Sequence, residues 1–226
     1  NNLQIQSSVP LDGNLNFTLS TVDSAGSLRD VSTPVTEPVL VDIDFTSVFE
    51  GGIEDDILDA SGQNTAVSYK GGAGNDTLIG GAGDDFLSGN AGADTLRGGA
   101  GDDTLVFAAD NLIMDGGVGN DTLLINIADT TINFSNFNAG VFDDLETIDM
   151  TGNSVQSLLN IKTSDVIDMT DSNNKLIIDG DSADKVSLVG FTKQTSSTEA
   201  GYHQYQSATD ATVKLYIDTD IIPTII

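Results

Sequence analysis

Between residues 71 and 124 an apolar side chain returns at every ninth position: Leu78, Leu87, Leu96, Leu105, Met114 and Leu123. Each sits in a short alternating stretch such as Thr77-Leu78-Ile79, where only the middle residue points to one side, a pattern of strand and not of helix. The residues between these stretches read GGAGND, GGAGDD, GNAGAD, GGAGDD and GGVGND. Glycine permits positive φ and close backbone approach, so each stretch predicts a turn with its carbonyls exposed. Four units run without a gap from 71 to 106, and a fifth occupies 116 to 124. The interval Phe107 to Asp115 keeps the phase although its composition has drifted. A strict period of this kind predicts a solenoid. Two units, eighteen residues, make one coil with a strand on each side, and successive coils stack as parallel strands about 4.8 Å apart. The leucine column fills the narrow interior.

The flanks lose the period but keep β character. Residues 1–48 read as an N-terminal β segment, the end of a preceding module or a cap. Short alternation marks Leu15 to Ser20 and Val39 to Asp44 within polar, proline-containing stretches. The roll itself is expected over 49–124, and a C-terminal β-rich cap over 125–226. Strand-sized runs there are Ile148 to Thr151, Ser164 to Met169, Lys175 to Ile178 and Lys185 to Leu188. Val141 to Glu146 suits a short helical turn. The phrase Asp179 to Val186 looks like a worn repeat, with Asp184 and Val186 at its sixth and eighth places, and Asp184 as a ligand stays open. Gly201 to Tyr205 and Ala211 to Ile221 predict a terminal hairpin. Such degenerate coils would close an open end that is otherwise an aggregation edge.

The sixth place of each unit is acidic, in Asp76, Asp85, Asp94, Asp103 and Asp121. One turn has too few oxygens for a metal, but two stacked turns offer two aspartates and several carbonyls. Calcium takes six to eight oxygens at roughly 2.3–2.6 Å and tolerates flexible geometry, whereas magnesium is less suited to a carbonyl cage. Cysteine is absent and the only histidine, His203, lies far from the repeats, so soft and borderline metals lack a ligand set.

The chain carries 35 acidic against 8 basic residues, a net charge of −27. Nucleic acid and anionic lipid are thereby disfavoured as partners. No apolar run reaches the roughly 18 residues that span a bilayer. The sequence reads as a piece of a larger protein, without a secretory leader of its own. The nucleophile-elbow, zincin and phosphate-loop motifs are absent, so a non-enzymatic role is expected. Asn-x-Ser/Thr occurs at Asn16, Asn75, Asn120 and Asn133, but a glycan at Asn75 or Asn120 would obstruct stacking.

The units resemble the GGxGxDxUx nonapeptides of RTX (repeat-in-toxin) proteins. The resemblance implies an all-β fold, a right-handed parallel β-roll with calcium between stacked turns. In that family one turn supplies the carbonyls of its second and fourth residues and its aspartate. The turn one coil later supplies the carbonyls of its first and third residues and its own aspartate. Carried over, one site uses Gly72, Gly74 and Asp76 with Gly89, Ala91 and Asp94. A second uses Gly81, Gly83 and Asp85 with Gly98, Ala100 and Asp103. A third uses Gly99, Gly101 and Asp103 with Gly116, Val118 and Asp121. Asp56, in a unit two residues out of phase, joins Asp76 in a fourth if Ala60-Ser61 bulges. Opposite Asp94 the later turn carries Leu112, which leaves that junction short of a ligand, with Asp110 as a partial substitute.

The order of phrases "LETIDMT…SDVIDMTD…LIIDGDSADKVSL…ATVKLYID" is similar to the C-terminal region of large RTX adhesins. This implies a secreted, surface-retained bacterial adhesin, acting in adhesion and biofilm. Its partner would be the type I secretion machinery of Gram-negative cells, engaged through the C-terminal region. The chain would be monomeric and would fold on extracellular calcium. The alternatives are the export and folding tail of an RTX lipase or metalloprotease, and a β-solenoid that binds ice or polysaccharide.

Overall fold

The structure, a computed structural model, describes residues 3–8, 16–21, 48–127, 129–152, 155–195 and 199–226. It divides into two compact units, Asn1–Ile43 and Asp44–Ile226. In the first, strand Leu3–Ser8 pairs antiparallel with Asn16–Thr21, from Leu3 opposite Thr21 to Ser8 opposite Asn16. The alternation read around Phe17 and Leu19 thus falls on a strand, while Val39 to Asp44 lies outside the described residues.

The second unit is a stack of parallel coils. One side carries strands Val48–Glu50, Ser68–Ala73, Phe86–Ala91, Thr104–Val106 and Thr122–Leu124. The other carries Ile57–Asp59, Thr77–Gly81, Thr95–Ala100, Ile113–Val118 and Phe142–Asp143. Thr77 lies opposite Thr95, Phe86 opposite Thr104 and Thr104 opposite Thr122, an advance of eighteen residues per coil. Leu78, Leu87, Leu96, Leu105, Met114 and Leu123 are all fully buried, one to a strand. The predicted all-β parallel β-roll is therefore the observed architecture. Its first coil is two residues longer, since Ile57 lies opposite Thr77. The excess is taken up at residues 60–63, where the Gln63 N–H donates to the Ala60 carbonyl at 2.8 Å and the Ser61 N–H to Asp59 Oδ1 at 2.8 Å.

Beyond Leu124 the first side continues through Thr147–Asp149, Lys175–Asp179 and Lys214–Asp218 with lengthening coils: Thr122 faces Thr147, Thr147 faces Ile177, and Lys175 faces Lys214. The other side stops at Phe142–Asp143. A further parallel sheet takes over, of Thr131–Asn133, Ser157–Ile161, Lys185–Leu188 and Thr224–Ile225. The longer coils open room for more than one side chain per strand. Phe107, Phe134, Phe137 and Phe142 pack at this widening, Phe137 and Phe142 with ring centroids 5.0 Å apart. Ile148, Leu158, Ile178, Val186, Leu215 and Ile217 fill the core below. Strands Tyr202–Ser207 and Lys214–Asp218 form the predicted hairpin, Tyr205 opposite Leu215, and Phe191–Lys193 adds a third antiparallel strand.

Two local expectations are overturned. Residues 164–169 are not a strand but lie in the helix Thr163–Met169. Val166 and Met169, three apart, are buried while Ile167 is exposed, so the period is helical although Asp-Val-Ile-Asp resembles strand composition. The Lys162 N–H donates to Asp165 Oδ2 at 2.8 Å and satisfies an amide at the helix start. Conversely, Val141 to Glu146 forms no helix: Phe142 and Asp143 pair with Met114 and Asp115, and Asp144 has φ 46. Among the described residues no helix is long and apolar enough to cross a membrane.

Candidate metal centre

Each repeat aspartate ends a turn and precedes a strand triplet, which places it inside the stack: Asp76, Asp85, Asp94, Asp103 and Asp121 are all buried. Their Oδ1 atoms form an inner ladder, each accepting the main-chain N–H of the coil before. The Asp76 amide donates to Asp94 at 2.9 Å, Asp85 to Asp103 at 2.7 Å, and Asp103 to Asp121 at 2.7 Å. Val67 and Asp56 donate likewise to Asp85 and Asp76, at 2.7 and 2.8 Å.

The second oxygens behave differently. Oδ2 of Asp76, Asp94, Asp103 and Asp121 is buried and has no hydrogen-bond partner. Asp85 Oδ2 accepts the Gly81 N–H at 2.7 Å. A buried carboxylate oxygen left unpaired is costly, and native structures rarely keep one without an ion or other partner.

The backbone around these oxygens is crowded with carbonyls. The second and fourth residues of a turn aim theirs at the later coil: a Cβ on Gly99 or Gly101 would lie 2.3 Å from the Gly81 oxygen or 2.5 Å from that of Gly83. The first residue of the later turn aims its carbonyl back. A Cβ on Gly98 would meet the Gly116 oxygen at 2.5 Å and Asp103 Oδ2 at 2.2 Å. Third-residue carbonyls also point back, since Ala91 accepts the Gly74 N–H at 3.0 Å and Val118 that of Gly101 at 2.9 Å. The gaps between Asp76 and Asp94, Asp85 and Asp103, and Asp103 and Asp121 are thus lined by carbonyls from both sides and by two aspartates.

The strand register brings the three predicted residue sets into such gaps. Ala73 faces Ala91, Gly81 faces Gly99, and Ala100 faces Val118. Asp56 stands one coil before Asp76 on the same ladder, and its own Oδ2 accepts the Gly52 N–H at 2.7 Å. Beyond Asp94 the chain turns Leu112 outward, while the Leu112 N–H donates to the Asp94 main-chain carbonyl at 2.8 Å. Asp110 stays exposed and acts on Asp94 only through its charge. Asn111 is turned inward instead, its side-chain Oδ1 and Nδ2 buried without partners.

Two features of the site go beyond the sequence-based expectation. An outer ladder links the fifth positions: the Asn75 N–H donates to Asp55 Oδ1 at 2.7 Å, Ala93 to Asn75 at 3.0 Å, Asp102 to Asp84 at 2.9 Å, and Asn120 to Asp102 at 2.9 Å. Its signal is an asparagine or aspartate at that place in every unit but the one with Ala93. The second is Glu146, buried, whose Oε2 accepts the Asp121 N–H at 2.9 Å and so carries the inner ladder past the repeats. Its signal is the order Glu146-Thr147-Ile148, which copies Asp121-Thr122-Leu123. The worn unit at Asp184 folds as a unit: Gln156 and Asp181 amides donate to Oδ1 and Oδ2 at 2.8 and 2.7 Å.

Burial and mutual repulsion hold the carboxyls up. Asp103 is pushed to about 6, first by burial, then by Asp85, Asp84 and Asp102, against the pull of the Asp85 amide. Asp121 reaches about 7, again chiefly by burial, with Asp103 and Glu146 adding to it. Asp85, Asp94 and Glu146 are raised for the same leading reason. Among the described residues the ion pairs are Lys70–Glu50, Arg97–Asp115 and Lys175–Glu199, and none reaches the aspartate rows.

No three His, Cys, Asp or Glu side chains converge among the described residues. The donor set of these three gaps is two carboxylates with backbone carbonyls, an all-oxygen arrangement that fits calcium and offers nothing to a thiophilic metal. The unpartnered Oδ2 atoms stand where such a cation would need them. No curated protein and no solved structure matches the chain. Residues 70–105, which hold Asp76, Asp85, Asp94 and Asp103, match the family model of the RTX calcium-binding nonapeptide repeat in four copies. The chain thus carries the calcium-binding repeat of RTX proteins.

Proposed function

We propose that the gaps between stacked turns are filled by calcium and that this filling completes the fold. Gly72, Gly74 and Asp76 would hold one ion with Gly89, Ala91 and Asp94. Gly81, Gly83 and Asp85 would hold another with Gly98, Ala100 and Asp103. Gly99, Gly101 and Asp103 would share a third with Gly116, Val118 and Asp121, and Asp56 with Asp76 would take part in a fourth. The observation that carries this reading is the row of buried, unpartnered Oδ2 atoms facing carbonyls of the adjacent turn. The bound cation would supply the positive charge that no ion pair among the described residues brings to these aspartates. Because the site exists only once coils stack, binding free energy becomes folding free energy.

RTX repeat proteins are typically secreted, and the function that fits best is a structural module of a secreted, surface-retained adhesin. The chain leaves a calcium-poor cytosol unfolded through a type I secretion channel, guided by its C-terminal region, and folds in external calcium. Export and retention are supported by the likeness of residues 143–221 to the C-terminal regions of RTX adhesins. The test is circular dichroism during a calcium titration from EGTA to about 10 mM, with magnesium as the control. A cooperative gain of β signal with calcium alone is expected. A signal already complete in EGTA would overturn the reading.

A further inference from the structure

The last intact turn, Gly116 to Asp121, does not face another repeat. Met114 and Asp115 pair with Phe142 and Asp143, and pairing resumes where Thr122 meets Thr147. Between these points the upper turn has six residues, 116–121, and the lower only three, 144–146. The shortened turn nevertheless rebuilds the features of a repeat gap. A Cβ on Gly116 would lie 2.0 Å from the Asp144 main-chain oxygen, the place the Gly98 oxygen holds beneath Gly80 at 2.3 Å and the Gly116 oxygen beneath Gly98 at 2.5 Å.

Glu146 stands where a repeat would put its aspartate. Its Oε2 accepts the Asp121 N–H at 2.9 Å, as Asp121 Oδ1 accepts that of Asp103 at 2.7 Å. The extra methylene of glutamate offsets the missing backbone length. The same Cβ on Gly116 would lie 2.7 Å from the Asp121 carboxylate carbon, which puts this carboxylate and the Asp144 carbonyl at one gap, and Asp121 Oδ2 is buried and without a partner. The carboxylates of Asp144 and Asp171 add negative charge beside Glu146, and none of the three ion pairs touches any of these residues.

We infer that the gap between the last repeat turn and the Asp144–Glu146 turn is one more calcium site, built from Asp121 Oδ2, the Asp144 carbonyl and the Glu146 carboxylate. In the gaps above, second- and fourth-residue carbonyls line the same side, and the corresponding residues here are Gly117 and Gly119. The site joins the roll to the C-terminal stack, because the Leu145 N–H donates to the Met169 carbonyl of the helix Thr163–Met169 at 2.6 Å. The inference rests on the calcium reading of the repeats and extends it beyond them.

The test is native mass spectrometry of the full chain in calcium, counting bound ions. Glu146→Gln is expected to lose one ion relative to the parent and to keep those of the repeats. An unchanged count for folded Glu146→Gln overturns the inference and leaves the repeat sites standing. A parent chain that binds no calcium at all overturns both. Should Glu146→Gln fail to fold, a crystal structure of the parent chain grown in calcium decides the matter. An ion within about 2.3–2.6 Å of Asp121 Oδ2 and the Asp144 oxygen supports the site. Ions in the repeat gaps with none below Gly116 remove it.

Discussion

The repeat roll and the C-terminal stack share one sheet yet are held together by different means. In the repeats one leucine or methionine per strand fills the interior, joined by Val106 in Thr104–Val106, and the space between turns belongs to carboxylates and carbonyls. In the C-terminal stack the coils lengthen, phenylalanines and aliphatics share the interior, and the acidic groups at worn repeat positions, Glu146 and Asp184, have both oxygens on backbone amides. All the buried carboxylate oxygens without partners lie in the roll, among the described residues. A strict short period therefore makes a regular ligand array at the expense of a core, and a relaxed period does the reverse.

Calcium withdrawal should expose this difference most strongly. In EGTA at pH 7.5 the amides of Thr77, Thr95, Thr104 and Thr122, which now donate to main-chain carbonyls of the preceding coil, should exchange within the dead time of a hydrogen-exchange experiment. Those of Ile148, Ile178 and Leu215 should stay protected for far longer. Equal loss in both regions would show that the stack cannot stand without the roll.

Gly98 offers a sharper cut within the roll. An added Cβ there would press on Asp103 Oδ2 and the Gly116 oxygen at once, whereas one on Gly62 meets nothing within 4 Å. Gly98→Ala should abolish cooperative folding of the roll at calcium concentrations that fold the parent. Gly62→Ala should stay within about 0.5 kcal/mol of it, as is usual for surface changes. A normal calcium titration for Gly98→Ala would mean that the gap is looser than its geometry implies.

Much of this architecture is legible in the sequence because a nine-residue period states both burial and ligand position. Leu78 through Leu123 and Asp76 through Asp121 can be placed from spacing alone. The period runs out where the coils change length. Glu146 is hidden because it lies 25 residues after Asp121 where the repeats advance by 18: the coil is longer although its turn is shorter, so counting from Asp121 does not land on it. The helix Thr163–Met169 is hidden because Val166 and Met169 are its only buried residues, too few to separate a period of three from one of two. Asn111 points inward where counting places Leu112, since a drifted repeat need not keep the side chain that the register assigns.

Removing stacked carboxylates should weaken the roll less than Gly98→Ala. Asp85→Ala with Asp103→Ala takes two rungs from one ladder and leaves the leucine column intact. The calcium concentration at half-folding should rise several-fold, read by the same dichroism titration. Folding at the parent's calcium concentration would remove these aspartates from the ligand set. A matched change in the C-terminal stack, Asp149→Ala, takes an exposed-side carboxylate that accepts from Thr151 and should leave the midpoint where it is.

The smallest effect expected is on pH, and its sign separates the two regions once more. In the metal-free fold Asp103 and Asp121 titrate at about 6 and about 7, above the ordinary carboxyl value of 3.8. The folded roll then holds more protons than the unfolded chain from about 4 to about 7, so its stability is greatest at the acid end and falls as pH rises through that window. Calcium competes with those protons, and its requirement should fall over the same range. In EGTA, protection of roll amides at pH 5 should exceed that at pH 7.5, whereas Ile178 should change little. Roll protection that is flat across this window, or that grows with pH, would mean that the paired aspartates are not what keeps the metal-free roll open.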